Sequence, residues 1–217
     1  MTGLSPGRLA PLQRELLAAF FERERAFSLT GGAALVEFYL HHRDTKDLDL
    51  FARPGADIEQ AELALADAAL SLGATVTKLR DLKEFKRFLI GRGGESTLVD
   101  FVVDRAPRVD DDQFFGRIRV HSLREIAANK LCTILSRGEP RDLVDLMLIL
   151  ATGVDLPTAV KDAGQKDGGA DPATLAWVLS EISVGPDAVL PATIAPSELE
   201  RFRADLESRL RLLALPE

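Results

Sequence analysis

The sequence predicts an α/β (α+β) region of mixed strands and helices, followed by a region that contains only helices. Before residue 122, apolar runs with the two-residue period of β-strands alternate with helix-like segments. From residue 122 onward, the apolar residues recur at helical spacing in every segment. We therefore expect two regions in the 217-residue chain, residues 1–121 and residues 122–217.

The individual elements follow from apolar spacing and from the Gly and Pro residues that interrupt it. In the first region, helices are predicted at 8–25, 32–41 and 57–72. Strands are predicted at 27–29, 47–52, 74–79, 85–91, 96–104 and 117–121, with a hairpin turn at Gly93–Gly94. In the second region, helices are predicted at 122–136, 140–152, 155–164, 171–184 and 196–213. These elements indicate a mixed β-sheet with helices, followed by an α-helical bundle.

The composition is that of an ordinary globular protein, with 46% hydrophobic and 28% charged residues. The net charge of -7 argues against a surface that is basic all over. Cys132 is the only cysteine, which excludes a disulfide framework and a zinc ribbon and fits a reducing cytosol. The first residues lack the apolar core of a signal peptide, and no apolar run is long enough to span a bilayer. We expect a cytoplasmic protein with no membrane partner.

Three aspartates stand in apolar surroundings and are the candidate metal ligands. Asp47 and Asp49 lie two residues apart in a predicted strand, so both carboxylates point to one face. Asp100 interrupts the apolar run of a later strand. Three carboxylates that converge across neighbouring strands suit one or two Mg²⁺ ions. The alternative is structural: Asp47 caps a strand and pairs with Arg43 or Lys46, while Asp100 meets a buried arginine.

Two further features point to phosphate. Gly31 and Gly32 lie between a predicted strand and a helix, where glycine lets backbone amides approach a ligand. Lys130 falls in the middle of the apolar face of its predicted helix, which is costly unless the ammonium finds a partner. That partner is either a nucleotide triphosphate or, in a structural ion pair, Asp142 or Asp145.

Four segments in this order resemble the nucleotidyltransferase superfamily with polymerase-β-like folds, and most of all its AbiEii toxin family. They are GGAAL at 31–35, RDTKDLDLF at 43–51, the lysine of EIAANKL at 125–131, and RGEPRDLVDL at 137–146. The resemblance extends from about residue 28 to residue 150.

The resemblance implies a nucleotidyltransferase-like fold in which the helical region completes the active-site cleft. It implies Mg²⁺-dependent transfer of a nucleoside monophosphate from an NTP to an acceptor such as tRNA or another RNA. It also implies a toxin that a separate antitoxin protein holds in check. The implied catalytic residues are Asp47, Asp49, Asp100, Lys130 and Asp145, with the three aspartates before residue 101 as metal ligands. The implied nucleotide-binding residues are Gly31, Gly32, Arg43, Thr45 and Lys130.

Other functions and acceptors stay open from the sequence. An enzyme of this kind can transfer a nucleotide to a small molecule, such as an antibiotic hydroxyl. A non-catalytic member would bind nucleotide or protein partners only. The basic residues of segment 78–92 either guide RNA or form a solvated strand edge. The acidic run at 110–112 is predicted to be solvated loop.

Overall fold

The structure is a computed structural model that describes residues 7–188, 190–191 and 193–215. Within these residues the chain forms one seven-stranded mixed sheet and eight α-helices. The predicted mixed α/β class with a helical C-terminal half is therefore confirmed.

The sheet has the strand order β3-β4-β5-β2-β1-β7-β6. Its strands are β1 (Phe27–Thr30), β2 (Asp47–Ala52), β3 (Thr75–Asp81), β4 (Phe85–Arg92), β5 (Glu95–Val103), β6 (Gln113–Phe115) and β7 (Ile118–Val120). Strand β2 runs parallel to β5, and β1 runs parallel to β7, while the other neighbours are antiparallel. The parallel pairing of β2 with β5 matters most, because it places two predicted site strands side by side.

Three helical segments accompany the sheet: α1 (Pro11–Arg23), α2 (Gly31–Ala34) and α3 (Ile58–Ser71). Helix α2 continues as a π-helical segment over Leu35–Tyr39, so the single helix predicted at 32–41 is shorter and less regular than expected. One face of the sheet is buried, and its aromatic centre packs Phe101 against the rings of Phe20, Phe27 and Phe88 at centroid distances of 5.1–5.5 Å. Side chains alternate along each strand, so Asp47, Asp49 and Asp100 lie on the opposite face.

Strand β6 was not predicted, because the sequence places it directly after the acidic run. Asp112 in that run accepts hydrogen bonds from Ser28 Oγ at 2.8 Å and from Arg119 Nε at 2.7 Å. Asp112 thus links β1 and β7 through its side chain. The prediction that the run is only a solvated loop was therefore wrong for Asp112.

The remaining helices are α4 (Leu123–Ser136), α5 (Pro140–Ala151), α6 (Leu156–Lys166), α7 (Pro172–Glu181) and α8 (Pro196–Leu213). The chain divides into two compact units. Among the described residues, the sheet unit comprises 7–105 and 111–122, and the helical unit comprises 106–110 and those from 123 to 215. Of the helices that the structure describes, none has the length and apolar character to cross a membrane.

Candidate active site

A row of polar side chains crosses the second face of the sheet through β1, β2, β5 and β4. Thr30 is the strand partner of Asp49, Asp49 is the partner of Asp100, and Asp100 is the partner of Arg87. Directly paired residues point to the same side of a sheet, so all four side chains share one face. Asp47 lies two residues before Asp49 and is half-buried like it, while the intervening residue is buried on the other face.

The glycine turn closes on this row. Gly31 has a φ of 62°, and a Cβ atom added to it would overlap Oδ2 of Asp49. A Cβ atom on Gly32 would lie 2.6 Å from Nη2 of Arg43 and 3.3 Å from Oγ1 of Thr45. Only glycine fits at either position without a shift of these side chains. The structure thus brings together five of the predicted site residues, from two of the four motifs.

Asp100 meets an arginine, as in the structural alternative. Arg87 Nε donates to Asp100 Oδ1 at 2.7 Å, and Arg87 Nη2 donates to Asp100 Oδ2 at 2.6 Å. This two-point contact raises the pKa of Arg87, and the negative charges of Asp47 and Asp49 add to the effect.

Arg87 was not among the predicted site residues, although its pairing with Asp100 could have been derived from the predicted hairpin. The two-residue Gly93–Gly94 turn pairs Arg92 with Glu95, and counting back along both strands then pairs Arg87 with Asp100.

The oxygen atoms gathered in the sheet unit can supply some of the ligands of a metal ion, but not a complete coordination shell. Among the described residues, no group of three or more His, Cys, Asp or Glu side chains could by itself hold a metal ion. Asp47 and Asp49 nevertheless share one face, and the buried Thr30 hydroxyl beside them has no hydrogen-bond partner within the described part of the chain. Mg²⁺ is commonly bound by one or two carboxylates together with substrate phosphates and water. The residues present therefore fit Mg²⁺ held jointly with a triphosphate.

A second cluster of predicted residues lies within the helical unit. Lys130 Nζ lies 2.8 Å from Asp142 Oδ1 and 2.7 Å from Asp145 Oδ2, and both aspartates are fully buried. Arg137 Nε also donates to Asp142 at 3.0 Å. Burial raises the pKa of Asp142, but the charges and hydrogen bonds of Lys130 and Arg137 outweigh it and lower that pKa below its usual range. The charge of Lys130 is thus balanced by both Asp142 and Asp145, the two partners proposed in the structural alternative.

Most of the basic residues in segment 78–92 are paired with carboxylates. The pairs are Lys78 with Glu62 and Asp81, Lys86 with Glu59, Glu62 and Asp81, Arg87 with Asp100, and Arg92 with Glu15 and Glu95. Two others, Arg80 and Lys83, are exposed. The positive surface on this hairpin is therefore smaller than its sequence suggests.

Residues 15–211 match the family model described as nucleotidyl transferase AbiEii toxin, type IV toxin–antitoxin system. Three solved structures have similar folds. A candidate nucleotidyltransferase from H. pylori has a TM-score of 0.58 at 18% identity, covering 94% of this chain and 96% of that one. JHP933 from Helicobacter pylori has a TM-score of 0.55 at 18% identity, with 94% and 92% covered. MenT4, the nucleotidyltransferase toxin Rv2826c from Mycobacterium tuberculosis H37Rv, has a TM-score of 0.56 at 17% identity, with 94% and 83% covered. No curated protein sequence matches the chain.

Proposed function

Since the chain belongs to the AbiEii family of nucleotidyl transferase toxins of type IV toxin–antitoxin systems, we propose that it transfers a nucleoside monophosphate from an NTP to an acceptor, with Mg²⁺ as cofactor. The family match confirms the resemblance predicted from the four motifs and the enzyme class, a nucleotidyltransferase. The observation that carries the proposal is the close approach of the Gly31–Gly32 turn to Asp49, Arg43 and Thr45. This arrangement sets phosphate-binding groups directly beside metal-binding ones.

Asp47 and Asp49 are the proposed primary ligands of Mg²⁺, and Asp100 is the proposed third carboxylate, shared with a second ion. When bound, Mg²⁺ neutralises charge on the triphosphate and on the departing pyrophosphate. The two carboxylates on β2 hold their positions because the buried residues Leu48, Leu50 and Ala52 fix the strand. Asp100 contributes as a base near the acceptor hydroxyl once its oxygens are released from other contacts.

The glycine turn, Arg43 and Thr45 are the proposed nucleotide-binding groups. Without Cβ atoms, the backbone amides of Gly31 and Gly32 can approach phosphate oxygens closely. The Arg43 guanidinium and the Thr45 hydroxyl, which flank Gly32, supply donors of the kind that bind phosphate. These groups orient the α-phosphorus for in-line attack and stabilise negative charge as it develops.

The roles proposed for Lys130 and Asp145 rest on the family motifs. Lys130 supplies a positive charge for phosphate, and Asp145 holds the ammonium in place at 2.7 Å. An ammonium has three N–H donors, so contacts with Asp142 and Asp145 leave it one more. Asp142, at 2.8 Å, therefore shares with Asp145 the proposed role of holding the ammonium in place.

The proposed acceptor is RNA, tRNA among the candidates, and the proposed biological role is that of a toxin restrained by an antitoxin protein. One observation keeps a small-molecule acceptor, such as an antibiotic, as the second candidate. Four of the six basic residues in the hairpin segment are already paired with carboxylates, which leaves little positive surface there for a polyanion.

The test is a transfer assay with each α-phosphate-labelled NTP, Mg²⁺, and either total RNA or a panel of aminoglycoside-type drugs. We expect label in RNA from the wild type and a loss of at least about 100-fold for Asp49→Asn, because a metal ligand and its charge are removed. Asp67→Asn, which changes an exposed aspartate on α3, is the matched control and should transfer normally.

The outcomes separate the candidates. Labelled drug and unlabelled RNA would select the small-molecule acceptor. Full activity of Asp49→Asn would refute the proposed site. No transfer from any NTP by a folded protein would refute the proposed reaction and favour a member that only binds.

A further inference from the structure

We propose that Arg87 is an exchangeable counterion of the metal site. The Arg87 guanidinium binds the Asp100 carboxylate while no metal is present. When a divalent cation binds at Asp49, it replaces the guanidinium as the partner of Asp100. The inference rests on the proposed function, since it concerns the same carboxylates. It assigns a role to a residue outside the motifs that identified the family.

The sheet register places Asp100 within reach of the same cation as Asp49. The two residues are direct partners on parallel strands, and such strands lie about 4.8 Å apart with paired side chains on one face. Asp100 is mostly buried, with 9% of its side chain exposed, so its carboxylate needs a positive partner. Arg87 is that partner in the present structure, with one hydrogen bond to each carboxylate oxygen.

The guanidinium and a divalent cation compete for Asp100. Both are positive, and both would have to lie within about 3 Å of the same two oxygens. Arg87 can yield because 40% of its side chain is exposed, so leaving Asp100 returns it largely to water. Its Cζ atom also lies 5.6 Å from the centre of the Phe85 ring, a contact that can hold the guanidinium after release.

The competition predicts a gain of metal affinity when Arg87 is removed. The probe is Mn²⁺ alone, added to the full chain without nucleotide and followed by electron paramagnetic resonance and by calorimetry. We expect Arg87→Gln to bind Mn²⁺ about tenfold more tightly than the wild type, because the cation no longer has to break a charge-assisted contact. Arg92→Gln changes an arginine on the same strand that pairs with Glu15, and it should leave Mn²⁺ affinity unchanged.

A double-mutant cycle distinguishes exchange at Asp100 from a general effect of charge. In an Asp100→Asn background, Arg87→Gln should change the affinity by less than about twofold, since the shared carboxylate is gone. If Arg87→Gln raised Mn²⁺ affinity equally in both backgrounds, the exchange would be refuted, and the effect would be long-range repulsion between Arg87 and the cation. Unchanged or weaker binding by Arg87→Gln would overturn it directly. Thermal unfolding in EDTA checks that each variant folds.

The same experiment separates this inference from the proposed function. If the wild type binds Mn²⁺ and Asp49→Asn does not, the metal site stands whatever Arg87 does. If neither the wild type nor Arg87→Gln binds Mn²⁺, the proposed metal site fails, and the exchange fails with it.

Discussion

Replacing Lys130 with methionine removes the cation that Asp142 and Asp145 share inside the helical unit. Both carboxylates are fully buried, and only 8% of the lysine side chain is exposed, so water cannot replace the lost partner. Breaking a buried ion pair from one side costs about 3–5 kcal/mol. Arg137 still contacts Asp142, so we expect the lower end, a loss of about 3 kcal/mol in the free energy of unfolding.

Urea denaturation measures this loss, with far-UV circular dichroism reporting on the helices and Trp177, the only tryptophan, reporting from α7. Lys161→Met is the control, since Lys161 is exposed in the same unit, and it should change stability by less than about 0.5 kcal/mol. Adding Asp142→Asn and Asp145→Asn to Lys130→Met should restore part of the loss, because no buried charge is left uncompensated. A loss below about 1 kcal/mol for Lys130→Met would refute the picture of a tightly buried cluster.

Two further predictions concern the glycine turn and acid stability. Gly31→Ala and Gly73→Ala both place a side chain at positive φ, 62° and 65°, but only the Cβ atom at residue 31 would overlap Asp49. Gly73→Ala should lose about 1 kcal/mol in urea unfolding, and Gly31→Ala should lose at least as much because Asp49 must also shift. Only Gly31→Ala should weaken Mn²⁺ binding, and equal Mn²⁺ affinities would contradict the close approach. The lowered pKa of Asp142 means that its stabilising effect is complete above the unfolded value near 4 and is lost as pH falls through the folded value. Wild-type stability should therefore drop below about pH 4 more steeply than that of Asp142→Asn, and parallel pH curves would contradict this.

The fold could be predicted largely from local patterns, and the exceptions have physical causes. The strand at 47–52 was predicted with its observed bounds because polar and apolar residues alternate at its start and Pro54 and Gly55 end the apolar run. The helix at 32–41 was too long because nothing in its sequence marks the change to π-helical bonding at Leu35. Strand β6 has three residues and exists through its pairing with β7, which no local pattern encodes.

The sequence was enough to predict which residues belong to the candidate site. It was not enough to predict which side chains these residues contact. Spacing alone placed Asp47 and Asp49 on one face. The partner of Asp100 depended on which strand lies beside β5, a question of tertiary pairing that required the hairpin register. For Lys130, the sequence offered two acidic partners, and the structure shows that the lysine contacts both. The catalytic and binding roles of these residues stay predictions for the experiments above.

The short segment from Ala106 to Asp110 belongs with the helices, although the chain on both sides of it belongs with the sheet. Its Val109 amide donates to Glu125 at 2.9 Å, and Glu125 is also paired with Lys166 at 2.6 Å. Neither unit is therefore one continuous stretch of the gene. A chimera made at a single junction, or a protein split into two fragments at one site, would give these five residues to the wrong parent or leave one half without them. Exchange of the helical unit between relatives should therefore need a junction on each side of this segment as well as one near residue 122.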